Sequence, residues 1–326
     1  MRQNSANKKT RRGLKKSQNL YLGADGGGTK TQIVLLDEEK QLVAEGLAGA
    51  SNPLRVGIEA AVLNISAAID KACDAGNKNR GDIVSATLGL AGVRREDLRL
   101  RVRESFSRSF GLKKVEVFTD AEIALYGAAL GKAALVVIAG TGSICTGQNE
   151  RGMRATAGGW GPIAGDEGGG AGIARRALQA IAKASDGRGK PTKLSDVAIE
   201  YFRAGRLEDL SVAIYAPQVD NARIAGFARF VIEAAQANDE IALYILREAA
   251  GELALAATTV IHELKLERKK FPIAQVGGIF RGGDGLITEP FMEKVQTIAP
   301  KAFLIEPFLS PAVAAARMAF ENYHKK

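Results

Sequence analysis

Two segments of the chain share one pattern, in which an apolar strand is followed by a glycine turn and a returning strand. In the first segment, residues 20–24 lead into the turn at 25–29, and residues 33–36 leave it. In the second, residues 134–139 lead into 140–143, and 144–147 leave it. Apolar runs bounded by glycine predict strands. Two copies predict a duplicated architecture, and they are too few for a solenoid.

The rest of the body alternates between strand and helix patterns. Further strands are predicted at 41–47, 83–90, 115–118 and 303–305, with a short strand ending at Val276. Helical spacing predicts helices at 57–75, 95–109, 120–131, 170–185, 192–204, 223–237, 239–265, 285–298 and 311–322. Alternation of this kind predicts an α/β fold whose mixed sheets are flanked by helices. Because no proline- or serine-rich linker separates the halves, we expect two closely joined domains around a cleft.

Composition excludes several classes of protein. No apolar run approaches the roughly 18–20 residues of a membrane span. Two cysteines, Cys73 and Cys145, are too few for a disulfide framework or a structural Cys₄ zinc site. Two histidines exclude a multi-histidine metal centre and disfavour a Ser-His-Asp hydrolase. We expect a cytoplasmic protein whose thiols are reduced and buried.

The net charge of +9 is concentrated at the start of the chain. The first 20 residues hold seven basic residues and no acidic one, so the remainder is nearly neutral. We interpret residues 1–19 as a solvated, disordered basic tail, with an anionic partner as the alternative. The tail has neither the apolar segment of a secretory signal nor the apolar periodicity of a DNA-reading domain. We therefore expect no specific nucleic-acid partner, and any DNA contact would depend strongly on salt.

The first glycine turn has the composition of a phosphate-binding loop. Gly26, Gly27 and Gly28 allow the backbone to approach a phosphate closely and to aim N–H groups at it. A Walker A spacing is absent, and a Rossmann arrangement is excluded because a strand follows the turn. Asp25 would repel a phosphate unless a cation such as Mg²⁺ lay between them. A flexible hairpin is the alternative interpretation.

Three other segments carry candidate chemistry. The second turn, at 140–143, offers further small donors for a triphosphate. Asp120 opens a helix within a T-x-x-E capping box that starts at Thr119. A carboxylate at this position can also accept a proton from a hydroxyl during phosphoryl transfer. Gly277 and Gly278 follow a strand and would let an adenosine lie against the backbone.

Residues 158–170 form the most distinctive segment of the chain. Seven of these thirteen residues are glycine, which is incompatible with a helix or a packed strand. The only tryptophan, Trp160, lies close to Asp166 and Glu167. Carboxylates bind vicinal hydroxyls, and flat apolar side chains pack against sugar rings. The segment therefore predicts a polyol ligand.

Taken in order, these segments resemble the BadF/BadG/BcrA/BcrD-type branch of the actin-like ATPase and sugar kinase superfamily, and within it the N-acetylglucosamine kinases. The resemblance extends from about residue 20 to about residue 320, and the GGWG and GDEGGG block is its specific part. The matching motifs are DGGGTKT at 25–31, SNPLRVG at 51–57, GLAG at 89–92, FTDA at 118–121, GTGS at 140–143, GGWG with GDEGGG at 158–170, and VGG at 276–278.

This resemblance implies two actin-like, ribonuclease H-like domains that close on ATP-Mg²⁺ and an amino sugar. The first would comprise residues 20–131 and about 308–326, and the second residues 132–307. The final helix would return to pack on the first domain. The implied activity is phosphorylation of the 6-hydroxyl of N-acetylglucosamine by a homodimer, with glucosamine or muramic acid as alternative substrates.

The resemblance also implies roles for individual residues. Asp120 matches the base that activates the sugar hydroxyl, and Asp25 matches the residue that holds Mg²⁺, through water. Ile144 stands where the animal enzymes have an asparagine that helps to hold the sugar, which predicts relaxed specificity. The implied nucleotide-binding positions are Gly26, Gly27, Gly28, Thr29, Lys30, Gly140, Thr141, Gly142, Ser143, Gly277 and Gly278. The implied sugar-binding positions are Asn52, Asp120, Thr141, Gly159, Trp160 and Asp166.

Two other classes of protein are alternatives to a kinase. A dehydratase-activating ATPase of the same branch holds an iron–sulfur cluster between subunits with exposed cysteines. Cys73 late in a helix and Cys145 on a predicted buried strand disfavour that class. A sugar-sensing regulator would need a DNA-reading domain, which the basic tail is too short and too polar to form.

Overall fold

The computed structural model describes residues 19–283 and 285–325. The predicted basic tail therefore lies outside the described residues, except for Asn19. Among the residues described, no helix combines the length and the apolar character needed to cross a membrane. The described chain forms two five-stranded mixed sheets with helices packed on their faces, which confirms the predicted α/β fold.

The first sheet has the strand order β3-β2-β1-β4-β5. Strands β1, β2 and β3 are antiparallel neighbours, whereas β1, β4 and β5 run parallel. The apolar runs that predicted β1 and β2 are explained by burial of these strands on both faces. The strands are β1 (Leu20–Gly26), β2 (Thr31–Leu36), β3 (Leu42–Ala48), β4 (Ile83–Leu90) and β5 (Val115–Thr119).

The second sheet repeats this topology with the order β10-β9-β6-β7-β8. Again, three antiparallel strands are extended by two parallel ones. The predicted duplication is therefore confirmed, and β8 is a strand that the sequence patterns did not reveal. The strands are β6 (Ala134–Ala139), β7 (Ser143–Gln148), β8 (Arg154–Gly158), β9 (Phe271–Val276) and β10 (Ala302–Ile305).

The longer helices follow the predicted positions with one error. Short helices at 53–56, 161–164, 210–214 and 278–282 were not predicted, and the one at 161–164 shows that the expectation of no helix within 158–170 was wrong over one turn. A single helix was predicted over 223–237, but the chain forms two helices that meet at Phe227, whose side chain is fully buried. The helices are α1 (Pro53–Val56), α2 (Ile58–Gly76), α3 (Glu96–Phe110), α4 (Asp120–Ala129), α5 (Gly161–Ala164), α6 (Gly170–Ser185), α7 (Leu194–Phe202), α8 (Leu210–Ile214), α9 (Asn221–Gly226), α10 (Ala228–Gln236), α11 (Glu240–Leu264), α12 (Gly278–Gly282), α13 (Thr288–Ile298) and α14 (Pro311–His324).

Helix α14 follows the second sheet in sequence but packs on the first. It contacts β1, β2, β4 and α4. The contact with β1 is so close that a Cβ at Gly23 would overlap the backbone of Ala312 and Ala316. The final helix thus lies where the resemblance implied, although the domain boundaries at 131 and 308 stay predictions.

Candidate functional site

The two glycine turns lie at the carboxyl ends of the central strands of the two sheets. The first turn joins β1 to β2, and the carbonyl oxygen of Gly27 accepts hydrogen bonds from Ser51 N at 3.0 Å and Asn52 N at 3.1 Å. Within the described chain, the N–H groups of Gly28 and Thr29 donate to no other residue. These donors are available to an anion such as a phosphate.

The second turn, between β6 and β7, is held against the start of α6. Gly140 O accepts a hydrogen bond from Gly170 N at 2.8 Å, and Thr141 O accepts one from Ala171 N at 2.9 Å. A Cβ on Gly169 would lie only 2.5 Å from the backbone of Gly142. Gly169 is therefore required because the start of the helix and the turn meet backbone to backbone.

Asp25 and Asp120 bring two carboxylates to the same edge of the first sheet. Asp25 is near the end of β1, and Asp120 directly follows β5, two strands away. Burial, followed by the charge of Asp120, raises the pKa of Asp25 to about 6, and Lys30 opposes this shift. Burial also raises the pKa of Asp120. Such shifts mark a region that disfavours uncompensated negative charge.

The predicted capping box is confirmed, and it leaves Asp120 free for another role. Thr119 Oγ1 accepts a hydrogen bond from Glu122 N at 3.1 Å, and Glu122 Oε2 accepts one from Thr119 N at 2.7 Å. Asp120 Oδ1 accepts a hydrogen bond from the adjacent Ala121 N at 2.9 Å. The reciprocal cap at the helix start is thus formed by Thr119 and Glu122, and not by the candidate base.

The segment that contains Trp160 and Asp166 is hydrogen-bonded to the second turn. Asp166 has a φ of +62° and is 8% exposed, and its Oδ1 accepts a hydrogen bond from Ser143 N at 3.0 Å. Trp160 is 70% exposed. The guanidinium carbon of Arg94, from the loop after β4, lies 5.2 Å from the centre of its ring. Arg94 therefore connects the first sheet to this segment, which the sequence patterns did not indicate.

Asn52 and Ile144 belong to different halves of the structure, Asn52 beside the first sheet and Ile144 in the second. Asn52 caps α1, and its Oδ1 accepts a hydrogen bond from Leu54 N at 3.0 Å. Ile144 lies on β7, and its Cδ1 is 2.7 Å from the position that a Cβ on Gly159 would take. The side chain of Ile144 thus packs against Gly159, which is one of the implied sugar-binding positions.

A cavity of about 600 Å³ opens beside the two turns. Its volume is in the range of roughly 300–1,000 Å³ that is typical of small-molecule sites. Of the predicted nucleotide-binding residues, Thr29, Gly140, Thr141 and Gly278 line it. Its opposite wall is formed by α9, α10 and α12, through residues that carried no recognisable sequence signal. These are Ala222, Ala225, Gly226, Ala228, Arg229, Ile232, Glu233, Gln236, Ile279 and Gly282.

The remaining predicted nucleotide-binding residues lie next to this cavity without lining it. Gly26, Gly27, Gly28 and Lys30 belong to the first turn or its edge, and Gly142 and Ser143 belong to the second. Gly277 precedes α12 and carries the backbone from β9 to Gly278.

Among the residues described, no group of three or more acidic, histidine or cysteine side chains could hold a metal ion alone. Mg²⁺ at phosphate-transfer sites is commonly held by one or two carboxylates, with phosphates and water as further ligands. The oxygen donors of Asp25 and Asp120, together with the raised pKa of Asp25, fit a site of that kind.

Both cysteines are buried, as predicted. Burial raises the pKa of the Cys145 thiol. Neither thiol is exposed to hold a cluster between subunits, which disfavours a dehydratase-activating ATPase.

Comparison with known proteins places the chain in a family of ATPases. Residues 22–315 match the BadF/BadG/BcrA/BcrD ATPase family, and the protein belongs to that family. It is 32% identical to the N-acetyl-D-glucosamine kinase of Dictyostelium discoideum over 94% of this chain and 99% of that protein. It is 33% identical to the N-acetylmuramic acid/N-acetylglucosamine kinase of Clostridium acetobutylicum over 87% of this chain and 92% of that protein.

Solved structures confirm the actin-like sugar kinase fold. A Chromobacterium violaceum protein, provisionally named N-acetylglucosamine kinase, superposes with a TM-score of 0.78 at 25% identity, over 93% of this chain and 99% of that one. The ROK family glucokinase of Streptomyces griseus superposes with a TM-score of 0.63 at 19% identity, over 93% and 100% of the two chains. At that identity, the second match supports the fold alone.

Proposed function

We propose that this protein is an ATP-dependent kinase that phosphorylates the 6-hydroxyl of N-acetylglucosamine. The observation that carries this proposal is the position of Asp120. Its carboxylate lies at the same sheet edge as Asp25, next to the first glycine turn, and is not needed to cap its helix. The family and the similarity to two named amino sugar kinases support the same activity.

In this proposal, the nucleotide occupies the 600 Å³ cavity, with its phosphates directed towards the two turns. Its adenosine lies near Gly278 and the wall formed by α9 and α10. The free N–H groups of Gly28 and Thr29 donate to phosphate oxygens from one side, and the second turn contacts them from the other. This arrangement holds the triphosphate at the end nearest to Asp120.

Asp120 is proposed as the general base. It accepts the proton of the sugar 6-hydroxyl as that oxygen attacks the γ-phosphorus and ADP departs. Asp25 would hold Mg²⁺, through water if the resemblance holds. When bound, Mg²⁺ supplies positive charge that neutralises the phosphates. The low polarity that raises the pKa of both acids also strengthens their interactions with a cation.

The sugar is proposed to bind between Asn52 and the Trp160–Asp166 segment, with Thr141 and Gly159 as further contacts. The buried carboxylate of Asp166, oriented by Ser143 N, suits paired hydroxyl groups. Glucosamine and muramic acid are the alternative substrates. The similarity to a kinase named for both N-acetylmuramic acid and N-acetylglucosamine favours a test of acidic sugars as well.

We further propose that the enzyme is cytoplasmic, acts as a homodimer and has no specific nucleic-acid partner. These statements rest on the resemblance and on the lack of apolar periodicity in residues 1–20. Analytical ultracentrifugation tests the homodimer directly, and a monomer at micromolar concentration would contradict it.

The decisive experiment is an ATP-consumption screen over N-acetylglucosamine, glucosamine, N-acetylmannosamine, muramic acid, N-acetylmuramic acid and glucose. We expect the highest kcat/KM with N-acetylglucosamine and phosphorus NMR of the product to show a 6-phosphate. Formation of a 1-phosphate, or no turnover with any of these sugars, would refute the proposal.

A further inference from the structure

Arg55 places a guanidinium group directly against the first glycine turn. It lies on α1, three residues after Asn52. A Cβ built on Gly28 would lie 2.8 Å from Arg55 Nη1 and 3.2 Å from its Cζ. Because Gly28 has no Cβ atom, the guanidinium can lie directly against the turn.

The positive charge of the same guanidinium also affects Asp166, which is hydrogen-bonded to the second turn. Burial raises the pKa of Asp166, and the positive charges of Arg175 and Arg55 oppose that shift. Asp166 is in turn hydrogen-bonded to Ser143 of the second turn. Arg55 therefore touches the first turn, and its charge is felt by the carboxylate that is hydrogen-bonded to the second.

No carboxylate forms an ion pair with Arg55 within residues 19–283 and 285–325. Its side chain is exposed, so it can reorient towards a ligand. Arginine donates several hydrogen bonds in a planar array that matches phosphate oxygens. The charge, the geometry and the available donors all suit an anion between the turns.

We propose that Arg55 binds the γ-phosphate of ATP and stabilises it during transfer to the sugar. This inference rests on the proposed kinase function. As the sugar oxygen forms its bond to phosphorus, the bond to the β,γ-bridging oxygen breaks and its electron pair leaves with ADP. The hydroxyl proton goes to Asp120, and the guanidinium donates to non-bridging oxygens of the transferred group.

Nucleotide binding tests this role without any sugar present. Calorimetry would measure the Kd of ADP and of AMPPNP, a nonhydrolysable ATP analogue, each with Mg²⁺. The proteins compared are the native protein, Arg55→Met, Arg55→Lys and the control Arg101→Met. Arg101 is an exposed residue of α3. We expect Arg55→Met to weaken AMPPNP binding about tenfold or more and to leave ADP within about twofold. Arg55→Lys should restore part of the difference, and Arg101→Met should match the native protein.

An equal loss for both nucleotides, or no loss for either, would overturn the proposal. Because this comparison contains no sugar, it stays informative even if the kinase proposal fails in the substrate screen. Circular dichroism melting of each variant verifies that the fold is intact.

Turnover provides the second part of the test. If Arg55 binds the γ-phosphate, Arg55→Met should lower kcat about 10²-fold with N-acetylglucosamine and with N-acetylmuramic acid alike. A loss confined to N-acetylmuramic acid would show instead that the guanidinium binds the carboxylate of the sugar, and it would overturn the assignment to ATP.

Discussion

The carboxylates of Asp25 and Asp120 occupy one edge of the first sheet, and burial together with the charge of Asp120 raises the pKa of Asp25 to about 6. The two residues are 95 positions apart in the chain and meet because β1, β4 and β5 run parallel. Two acids in a region of low polarity destabilise each other unless a cation lies between them. This relationship supports the predicted magnesium site and the proposed base.

Replacing Asp120 by asparagine should remove most of the activity and leave the fold intact. Asparagine cannot accept the hydroxyl proton, and loss of a general base typically lowers kcat about 10²–10⁴-fold. Thr119→Ala is the matched comparison, because Thr119 is the residue that caps α4. We expect Thr119→Ala to lower the free energy of unfolding by about 1 kcal/mol. Asp120→Asn should not lower it, because burial raises the pKa of Asp120 and the neutral side chain no longer repels Asp25. Steady-state kinetics and urea unfolding measure both effects. A folded Asp120→Asn enzyme with near-native kcat would exclude the catalytic role.

The stability of the ligand-free protein should depend on the protonation of Asp25. Its pKa rises from an ordinary value of 3.8 to about 6 in the folded protein. As the pH rises from about 4 to about 6, the unfolded chain loses this proton first, so the contribution of Asp25 to the free energy of unfolding falls. Asp25→Asn removes this effect and should stabilise the protein at pH 8 by on the order of 2–3 kcal/mol.

Thermal unfolding at pH 4.5 and pH 8, without Mg²⁺ or nucleotide, measures this difference. Glu263→Gln, at an exposed position near the end of α11, is the control for loss of one negative charge. An Asp25→Asn variant no more stable than native at pH 8 would contradict the prediction. The same variant should lose the stabilisation that Mg²⁺ and ATP give to the native protein.

Ile144 should control how strictly the enzyme selects its sugar. It packs beneath Gly159 and offers no hydrogen bond to a sugar substituent. A neutral hydrogen bond contributes roughly 0.5–1.5 kcal/mol, which corresponds to about a two- to tenfold effect. We expect the native enzyme to phosphorylate more than one 2-amino or 2-acetamido hexose, and Ile144→Asn to change the ratio of kcat/KM between N-acetylglucosamine and glucosamine. Ile144→Leu is the apolar control. An unchanged ratio in Ile144→Asn would show that this position does not set specificity.

Gly23→Ala should destabilise the protein by separating α14 from the first sheet. The added methyl group would overlap the backbone of Ala312 and Ala316, which cannot move aside without shifting the helix. Overpacking of this kind typically costs about 1–3 kcal/mol. Gly81→Ala is the matched control, because a Cβ there meets no atom within 4 Å. Chemical unfolding compares the two variants, and equal stability would contradict the close contact.

Local patterns in the sequence were sufficient for most of the secondary structure. The apolar runs on either side of the two glycine turns predicted both hairpins, because alternation and glycine act over a few neighbouring residues. The T-x-x-E pattern at Thr119 predicted the start of α4 for the same reason. The break at Phe227 was missed, since the buried position of that side chain depends on distant helices and not on helical periodicity.

The order of residues along the chain determined the two hairpins, the helix that begins at Asp120 and the glycine-rich segment around Trp160. Only the tertiary structure decided that α9 and α10 form the far wall of the cavity, that Arg94 reaches Trp160 and that Arg55 lies against Gly28. Hydrophobic periodicity reports which face of an element is buried, but it carries no information about which distant element covers that face. Each of these contacts joins residues that are distant in the chain, and it exists only once the elements that carry them have packed together.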